Sequence, residues 1–348
     1  MPQPLNIGIL GAARIADDGI VDPSKALGHR LVAVAARDRS RAEAFAQQRG
    51  IERVHDTYAD VIDDPDVDVV YNALVNSLHA TWNQYALEAG KHVLSEKPFA
   101  SNANEALLVR EVAREAPGRI VEGFHYLHHP VNLRLQELVR SGTLGDIQRV
   151  DIELRIPGPP DSDPRWSLDL AGGATMDLGC YVLNAARQVG RWLDEAPRVS
   201  TAEPTLKKPD IDAAMRVELA YPSGIVARLH WDMNAHDRVM TWTVTGTRGS
   251  AVVPAFAVPH LDNRIVILRG DTTEEEVLGD QTSYAYQLAA LAETLQTGAR
   301  FLIDSTFLID IDDSVANAEL IDDVYRNAGL PPRGQQESER TLKQGRKS

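Results

Sequence analysis

Residues 5–16 read LNIGILGAARIA, a short apolar run that stops at a glycine and continues in small residues. An apolar run that ends at Gly11 is typical of a buried parallel strand, and a helix is expected from about Ala13. Gly11–Ala16 matches the dinucleotide-binding fingerprint, with alanine at its second and third glycine positions. Backbone amides at such a helix start bind a pyrophosphate. The predicted cofactor contacts of this loop are Gly11, Ala12, Ala13, Arg14 and Ile15.

Strands and helices are expected to alternate along the first third of the chain. The sequence Ser40–Glu43 reads as a capping box that opens a helix, which Gly50 would close. Alternation at this spacing predicts a doubly wound parallel sheet with helices on both faces. The expected strands are residues 5–10, 31–36, 67–74, 91–95 and 119–124.

From about Gln148 the pattern changes to a period of two, which is typical of antiparallel strands with one buried face. We therefore predict an α/β protein: an N-terminal doubly wound Rossmann domain, then a C-terminal α+β domain on a largely antiparallel open sheet. The expected domains are residues 1–124 and 125–332. Residues 333–348 have almost no apolar side chains and are expected to form a disordered tail.

The composition limits the class of partner. A net charge of −14 over 348 residues argues against nucleic acid, whose phosphates would be repelled. No run reaches the roughly 20 apolar residues of a membrane span, so we expect no membrane association. The single cysteine, Cys180, fits a reducing cytoplasm. His128 and His129 have no further ligands at a suitable spacing, so no bound metal is expected.

The end of the second predicted strand bears on the choice of cofactor. An acidic side chain at this place binds the ribose 2′-hydroxyl of NAD, whereas a guanidinium pairs well with the 2′-phosphate of NADP. Here Ala36 is followed by Arg37, with Ser40 and Arg41 nearby. The sequence therefore favours NADP, and Asp38 keeps NAD possible.

Three further segments resemble one family. They are Asn76-Ser-Leu-His79, AGKHVLSEKP at residues 89–98, and GGATMDLGCY at residues 172–181. These segments, and the phosphate loop, are similar to the Gfo/Idh/MocA oxidoreductases, and the resemblance covers nearly the whole chain. Tyrosine at 181, where many members carry histidine, resembles the dihydrodiol dehydrogenase and glucose–fructose oxidoreductase branches.

The resemblance implies roles for particular residues. Lys97 would lie near the nicotinamide and the substrate hydroxyl, with Asp177 and Tyr181 completing the polar group around the reacting carbon. It also implies a cis Lys97–Pro98 bond. Asn76 and His79 would lie on the loop beside the nicotinamide ribose, and Glu96 is a further candidate for cofactor binding. Arg165 and Trp166 precede the glycine pair at 172–173 and are further candidates for contact with cofactor or substrate.

The same residue types suit an alcohol oxidation without reference to any family. Asp177 and Tyr181 are four residues apart, so on a helix they project from one face. Some group has to take the hydroxyl proton as hydride leaves carbon. Free tyrosine and free lysine titrate at about 10 and about 10.4, but a neighbouring ammonium favours the phenolate. We favour Tyr181 as the proton carrier and Lys97 as its activator, and the opposite assignment stays open.

We therefore expect an NAD(P)-dependent oxidoreductase that acts on a secondary alcohol or ketone of a sugar, polyol or cyclic diol. Lys97, Asp177 and Tyr181 are expected to converge on one cleft between the domains. The resemblance implies a homodimer or homotetramer that pairs the C-terminal sheets. Alternatives are an NAD-dependent glycosidase on the same scaffold, a catalytically silent NADP-binding regulator, and another dinucleotide enzyme such as an amino-acid dehydrogenase.

Overall fold

A computed structural model describes residues 3–297 and 310–334. The chain divides into two compact units. The first contains the described parts of residues 1–100, 104–129 and 280–315. The second contains those of residues 101–103, 130–279 and 316–348.

The first unit is built on a parallel sheet. Its described strands are β1 (Asn6–Leu10), β2 (Arg30–Ala35), β3 (Arg53–Val54), β4 (Val69–Asn72), β5 (His92–Ser95) and β6 (Ile120–Glu122). They lie in the order β3-β2-β1-β4-β5-β6, and each neighbouring pair is parallel. The order reverses between β1 and β4, and open sheets of this kind bind ligands beyond the carboxyl ends of the strands at such a reversal.

The second unit is built on a larger, mostly antiparallel sheet. Its described strands are β7 (Ile147–Pro157), β8 (Arg198–Lys208), β9 (Ile211–Ala220), β10 (Val226–Ala235), β11 (Val239–Gly246), β12 (Gly249–Val253), β13 (Arg264–Arg269) and β14 (Thr272–Val277). Their order is β14-β13-β12-β11-β7-β10-β9-β8, with β7 and β10 parallel and the other described pairs antiparallel. The predicted fold class is confirmed.

The helices include two short segments with π geometry, Asp17–Val21 and Thr175–Gly179, each of which runs directly into a following helix. Segments of this kind often mark functional sites. The described α-helices are α1 (Asp22–Leu27), α2 (Arg39–Arg49), α3 (Tyr58–Asp63), α4 (Asn76–Glu88), α5 (Ala103–Glu115), α6 (Pro130–Arg140), α7 (Cys180–Trp192), α8 (Ser283–Thr297) and α9 (Ile311–Asn327).

Helix α2 begins earlier than the capping box predicted, and that prediction was wrong. Asp38 is the residue before the helix, and its carboxylate accepts hydrogen bonds from the backbone N–H groups of Ser40 and Arg41. The hydroxyl of Ser40 itself donates to Asp38 at 2.6 Å. Aspartate is a strong N-cap because its charge also favours the positive end of the helix. The helix ends at Gly50, as predicted.

Helix α8 packs in the first unit, although it comes from near the end of the chain. Leu288 and Leu291 lie in the same buried apolar cluster as Ile7, Ile9 and Ile20. The expected second domain, residues 125–332, included this segment, because the local sequence pattern carries no information on which sheet a helix covers.

The expected tail of residues 333–348 contains an ordered residue. Arg333 is completely buried and forms an ion pair with Asp212 at 2.7 Å. The assignment of Arg333 to a disordered tail was therefore wrong. A polar composition predicts disorder only where the charges lack buried partners. Residues 335–348 lie outside the described part of the chain.

We predict a steric conflict when Gly19 is replaced by alanine. A Cβ at Gly19 would overlap the hydroxyl of Tyr71, which donates to Glu96 at 2.7 Å. Gly19→Ala should therefore lower the free energy of unfolding by about 1–3 kcal/mol. In the double variant Gly19→Ala/Tyr71→Phe the loss should be smaller than the sum of the two single losses, since the overlapping oxygen is gone.

Urea unfolding of the four proteins measures this coupling. Gly50→Ala is the control: Gly50 has a φ of 73° and no atom within 4 Å of its built Cβ. Its effect should simply add to that of Tyr71→Phe. Strict additivity for Gly19→Ala as well would contradict the packing described here.

Candidate active site

The predicted phosphate loop starts where β1 ends. Gly11 has a φ of 94°, in the left-handed region that favours glycine. Its N–H donates to the carbonyl of Ala35 at the end of β2, at 2.9 Å. The two residues that follow carry only methyl side chains, and helical backbone begins at Ile15. A tight turn with small side chains before a helix start suits a dinucleotide pyrophosphate.

Two arginines lie beside this loop, and we call Arg37 and Arg41 the basic corner. Both are exposed, and the guanidinium of Arg41 donates to the carbonyl of Ala12 at 3.2 Å. Among the described residues, Arg37 forms no side-chain ion pair. Arg39 differs, because it is paired with Glu43 and Asp56. The basic corner therefore offers guanidinium donors to an anion.

Asp38, the residue that kept NAD possible, is engaged elsewhere. The hydrogen bond from the Ser40 side chain is the largest cause that lowers the pKa of the Asp38 carboxyl. The hydrogen bond from the backbone N–H of Arg41 lowers it further. Its Oδ1 atom accepts from the Ser40 hydroxyl at 2.6 Å and from the Ser40 N–H at 2.9 Å. This carboxylate caps α2, which favours a cofactor with a 2′-phosphate.

His79 is buried behind the ends of β4 and β5. Its Nδ1 lies 2.7 Å from the carbonyl oxygen of Pro98, and its Nε2 lies 2.9 Å from that of Leu74. Burial is the main cause that lowers the pKa of His79, and the charge of Lys97 adds to it. Both ring nitrogens face backbone carbonyls. The ring therefore fastens the segment after Lys97, and its place beside the nicotinamide ribose stays a prediction.

A buried amide network supports the same strand ends. The side-chain N–H of Asn72 donates to Asn83 at 2.8 Å, and Asn83 donates to the hydroxyl of Ser95 at 2.9 Å. Sequence reasoning missed this network. A signal was present, because Asn83 lies four residues after His79 and therefore shares its helix face.

Lys97 follows β5 directly. Its side chain is partly exposed, and the Lys97–Pro98 peptide bond is cis, as predicted. Its neighbour Glu96 is only 6% exposed and accepts a hydrogen bond from Tyr71. Asn76, at the start of α4, is also partly exposed. Lys97 and Asn76 are thus the more accessible of the predicted residues at these strand ends.

In the second unit, Asp177 and Tyr181 lie on one continuous helical segment. Asp177 belongs to the π turn Thr175–Gly179, and Tyr181 lies in the first turn of α7. The Asp177 carboxylate lies 3.4 Å from the guanidinium of Arg165. A second carboxylate, Asp163, accepts hydrogen bonds from Nε and Nη2 of that guanidinium, both at 3.0 Å. Sequence reasoning missed Asp163.

Asp163 orients Arg165, and its hydrogen bond is the main cause that raises the pKa of this arginine. The negative charge of Asp177 raises that pKa further. Arg165 retains 32% side-chain exposure and Asp177 20%. Trp166, in contrast, is 1% exposed, and its indole N–H donates to the carbonyl of Pro159. Arg165 thus remains available to a ligand, whereas Trp166 packs beneath its loop.

Lys97 belongs to the first unit, and Asp177 and Tyr181 belong to the second. Their convergence on one cleft stays a prediction. Over residues 3–297 and 310–334, no cluster of three or more His, Cys, Asp or Glu side chains is arranged to hold a metal ion. None of the helices in those ranges is long and apolar enough to cross a membrane.

Comparisons with known proteins agree with this geometry. The D-xylose 1-dehydrogenase (NADP(+)) 2 of Haloferax volcanii is 33% identical over 325 residues, which cover 92% of this chain and 96% of the relative. A trans-1,2-dihydrobenzene-1,2-diol dehydrogenase of Xenopus laevis is 28% identical and covers 93% and 98% of the two chains. The crystal structure of a 3-ketoreductase from Actinomadura kijaniata, in complex with NADP and TDP-benzene, superposes with a TM-score of 0.82 at 29% identity. It covers 92% of this chain and 96% of its own.

Family models match both units. The model of an oxidoreductase family with an NAD-binding Rossmann fold matches residues 5–124. The model of the GFO/IDH/MocA C-terminal domain matches residues 132–252. Together with the relatives, these matches show that the chain belongs to the Gfo/Idh/MocA family of nicotinamide-dependent oxidoreductases.

Proposed function

We propose that this enzyme prefers NADP and acts on a secondary alcohol or ketone of a sugar, polyol or cyclic diol. The main support for this proposal is the continuous helical segment that contains Asp177 and Tyr181. The guanidinium of Arg165 lies 3.4 Å from the Asp177 carboxylate and helps to hold it in place. The relatives named above include a xylose dehydrogenase, a ketoreductase and a diol dehydrogenase. All three names describe oxidation or reduction at an oxygen-bearing carbon.

The residues divide the work between cofactor binding and proton transfer. The phosphate loop would hold the pyrophosphate of NADP, and the basic corner would hold the 2′-phosphate. When bound, the cofactor accepts or supplies a hydride. Tyr181 would take the substrate hydroxyl proton on oxidation and return it on reduction. Lys97 would stabilise the phenolate, and Asp177 would accept a hydrogen bond from the substrate.

The compartment is part of the same proposal. The sequence contains one cysteine, Cys180, and it is buried. A chain with one cysteine forms no intramolecular disulfide, which fits the reducing cytoplasm, where we place the enzyme.

A homodimer or homotetramer through the open face of the second sheet is also proposed. Partly exposed side chains of both charges lie on this face, so a second copy can place opposite charges against each other. They include Asp151, Glu153, Arg216, Glu218 and Arg228.

For the cofactor, we predict that Arg37→Ala weakens NADP binding about 10–100-fold relative to NAD, because a hydrogen bond to a charged group contributes about 1.5–3 kcal/mol. Dissociation constants for both cofactors, measured by calorimetry, give the ratio. Arg39→Ala is the matched control: it lies two residues away, but Arg39 already pairs with Glu43 and Asp56. An unchanged ratio in Arg37→Ala would remove Arg37 from the cofactor site.

For proton transfer, Tyr181→Phe should lower kcat about 10²–10⁴-fold, while cofactor binding in the first unit persists. Tyr221→Phe is the control. The Tyr221 hydroxyl donates at 2.8 Å to the carbonyl of Ala186, which lies in α7, the helix that also contains Tyr181. This variant should lose stability but keep its rate. Near-normal turnover of Tyr181→Phe on a confirmed substrate would contradict this assignment and make Lys97 the residue that transfers the proton.

For assembly, Arg216→Glu/Arg228→Glu should convert the oligomer to a smaller species, because two charges on the sheet face are reversed. Light scattering coupled to size-exclusion chromatography measures the mass. Arg114→Glu on α5 of the first unit reverses an exposed arginine away from that face. A wild type that is already monomeric, or a double variant with unchanged mass, would contradict the proposed interface.

A further inference from the structure

A fully buried ion pair lies behind the segment that carries Asp177 and Tyr181. The side chains of Asp212 and Arg333 are both 0% exposed, and Arg333 Nη2 lies 2.7 Å from Asp212 Oδ1. We propose that this pair is a positioning device that fixes where Asp177 and Tyr181 lie. The inference rests on the proposed function, because it concerns the two second-unit side chains assigned to substrate chemistry.

Asp212, in β9, holds the start of the π turn. Its Oδ2 atom accepts from the backbone N–H of Thr175 at 2.6 Å and from the Thr175 hydroxyl at 2.7 Å. Its Oδ1 atom accepts from Arg333 and from the Tyr325 hydroxyl, at 2.7 and 3.2 Å. A carboxylate that accepts from this many donors has little freedom to move. The first residue of the turn is thereby fixed two positions before Asp177.

Arg333 holds the residues that lead into the turn. Its Nε donates to the carbonyl of Gly172 at 2.7 Å, and its Nη1 donates to that of Pro331 at 3.2 Å. The guanidinium also lies over the ring of Tyr325, 4.1 Å from its centroid. A planar guanidinium donates in several fixed directions at once, which a lysine ammonium does not reproduce.

The same connection reaches Arg165, the partner of Asp177. The N–H of Gly173 donates to the carbonyl of Arg165 at 2.9 Å. Gly173 has a φ of 123°, and a Cβ there would overlap the Asp212 carboxylate. The backbone of Arg165 and the turn that bears Asp177 are therefore both tied to the buried pair, so the contact between these two side chains depends on it.

Trp231, in β10, contacts both ends of the π turn. Its indole N–H donates to the Thr175 hydroxyl at 3.0 Å. At the other end, a Cβ on Gly179 would lie 2.7 Å from its Cε2 atom. The Thr175 hydroxyl thus links Asp212 and Trp231, and its removal should loosen the turn while the ion pair remains.

A buried ion pair is weak evidence for stability, because desolvation offsets much of the attraction and apolar residues of similar size can serve as well. Directional, charge-assisted hydrogen bonds do fix geometry. Catalysis is sensitive to geometry, and a displacement of about 1 Å can reduce a rate about 10²-fold. The pair's value therefore lies in placing Asp177 and Tyr181.

Two variants test this proposal in the full-length enzyme. Thr175→Val removes one donor to Asp212 and leaves the ion pair intact, so it should fold. Arg333→Lys keeps a buried positive charge for Asp212 but loses the planar donation to Gly172. The control is Arg134→Gln/Glu276→Gln, which removes another ion pair of the second unit, 2.8 Å long and between α6 and β14.

Two measurements are made on each variant well below its melting temperature. The first is kcat, which should fall about 10–10²-fold in Thr175→Val and Arg333→Lys while the Kd for NADP is unchanged. The second is hydrogen–deuterium exchange of peptides covering residues 172–183, which should speed up in both variants. The control should lose stability and change neither measurement.

The outcomes separate this inference from the proposed function. Wild-type rates and unchanged exchange over residues 172–183 in both variants would overturn the positioning role. If wild type itself transfers no hydride with any tested alcohol or ketone, the proposed function fails, and the exchange measurement still decides whether the pair fixes the turn. A fall in kcat of similar size in the control, which loses only stability, would also overturn the inference.

Discussion

Gly11 turns the backbone with a φ of 94° at the end of β1, and its N–H is bonded to the end of β2. A residue with a Cβ is strained in that region of backbone space. The turn lets a strand at the centre of the parallel sheet pass directly into a helix, whose backbone amides then face the place where the strand order reverses. The other residues proposed to hold the cofactor lie near this turn. Arg41, for example, donates a hydrogen bond to the carbonyl of Ala12 in the same loop.

Buried polar clusters support the accessible side chains in each unit. In the first unit, His79, Asn72 and Asn83 fasten the strand ends beside Lys97. In the second, Asp212 and Arg333 fasten the turn that carries Asp177. Buried polar groups are costly unless they are satisfied, and satisfied networks are rigid. Both units thus place flexible or charged side chains on rigid supports, as catalysis requires.

The sequence predicted the fold class because periodicity and glycine positions are local signals. The Gly11 loop, Gly50 at the end of α2 and the alternation in β7 and β10 were all visible in the order of residues. The cis Lys97–Pro98 bond came from the family resemblance and not from any local signal.

What the sequence did not reveal are contacts over long separations. Arg333 and Asp212 are 121 residues apart, and nothing near either of them predicts the other. The same limit explains why Arg333 was placed in a disordered tail and why α8 was assigned to the second domain. The error at the start of α2 was local instead, because Asp38, two residues before Ser40, accepts the backbone N–H bonds of the first turn. The placement of Lys97, Asp177 and Tyr181 around one substrate rests on function and stays a prediction.

Hydride transfer between NADP and a secondary alcohol or ketone is the activity on which the assigned roles of the site residues depend. The most direct measurement follows the absorbance of the reduced nicotinamide while purified protein is incubated with NADP, or with NADPH, and a panel of sugars, polyols, diols and their ketones. We expect a steady change in absorbance with at least one of these compounds, faster with NADP than with NAD. Binding of NADP without any hydride transfer in either direction across the panel would contradict it.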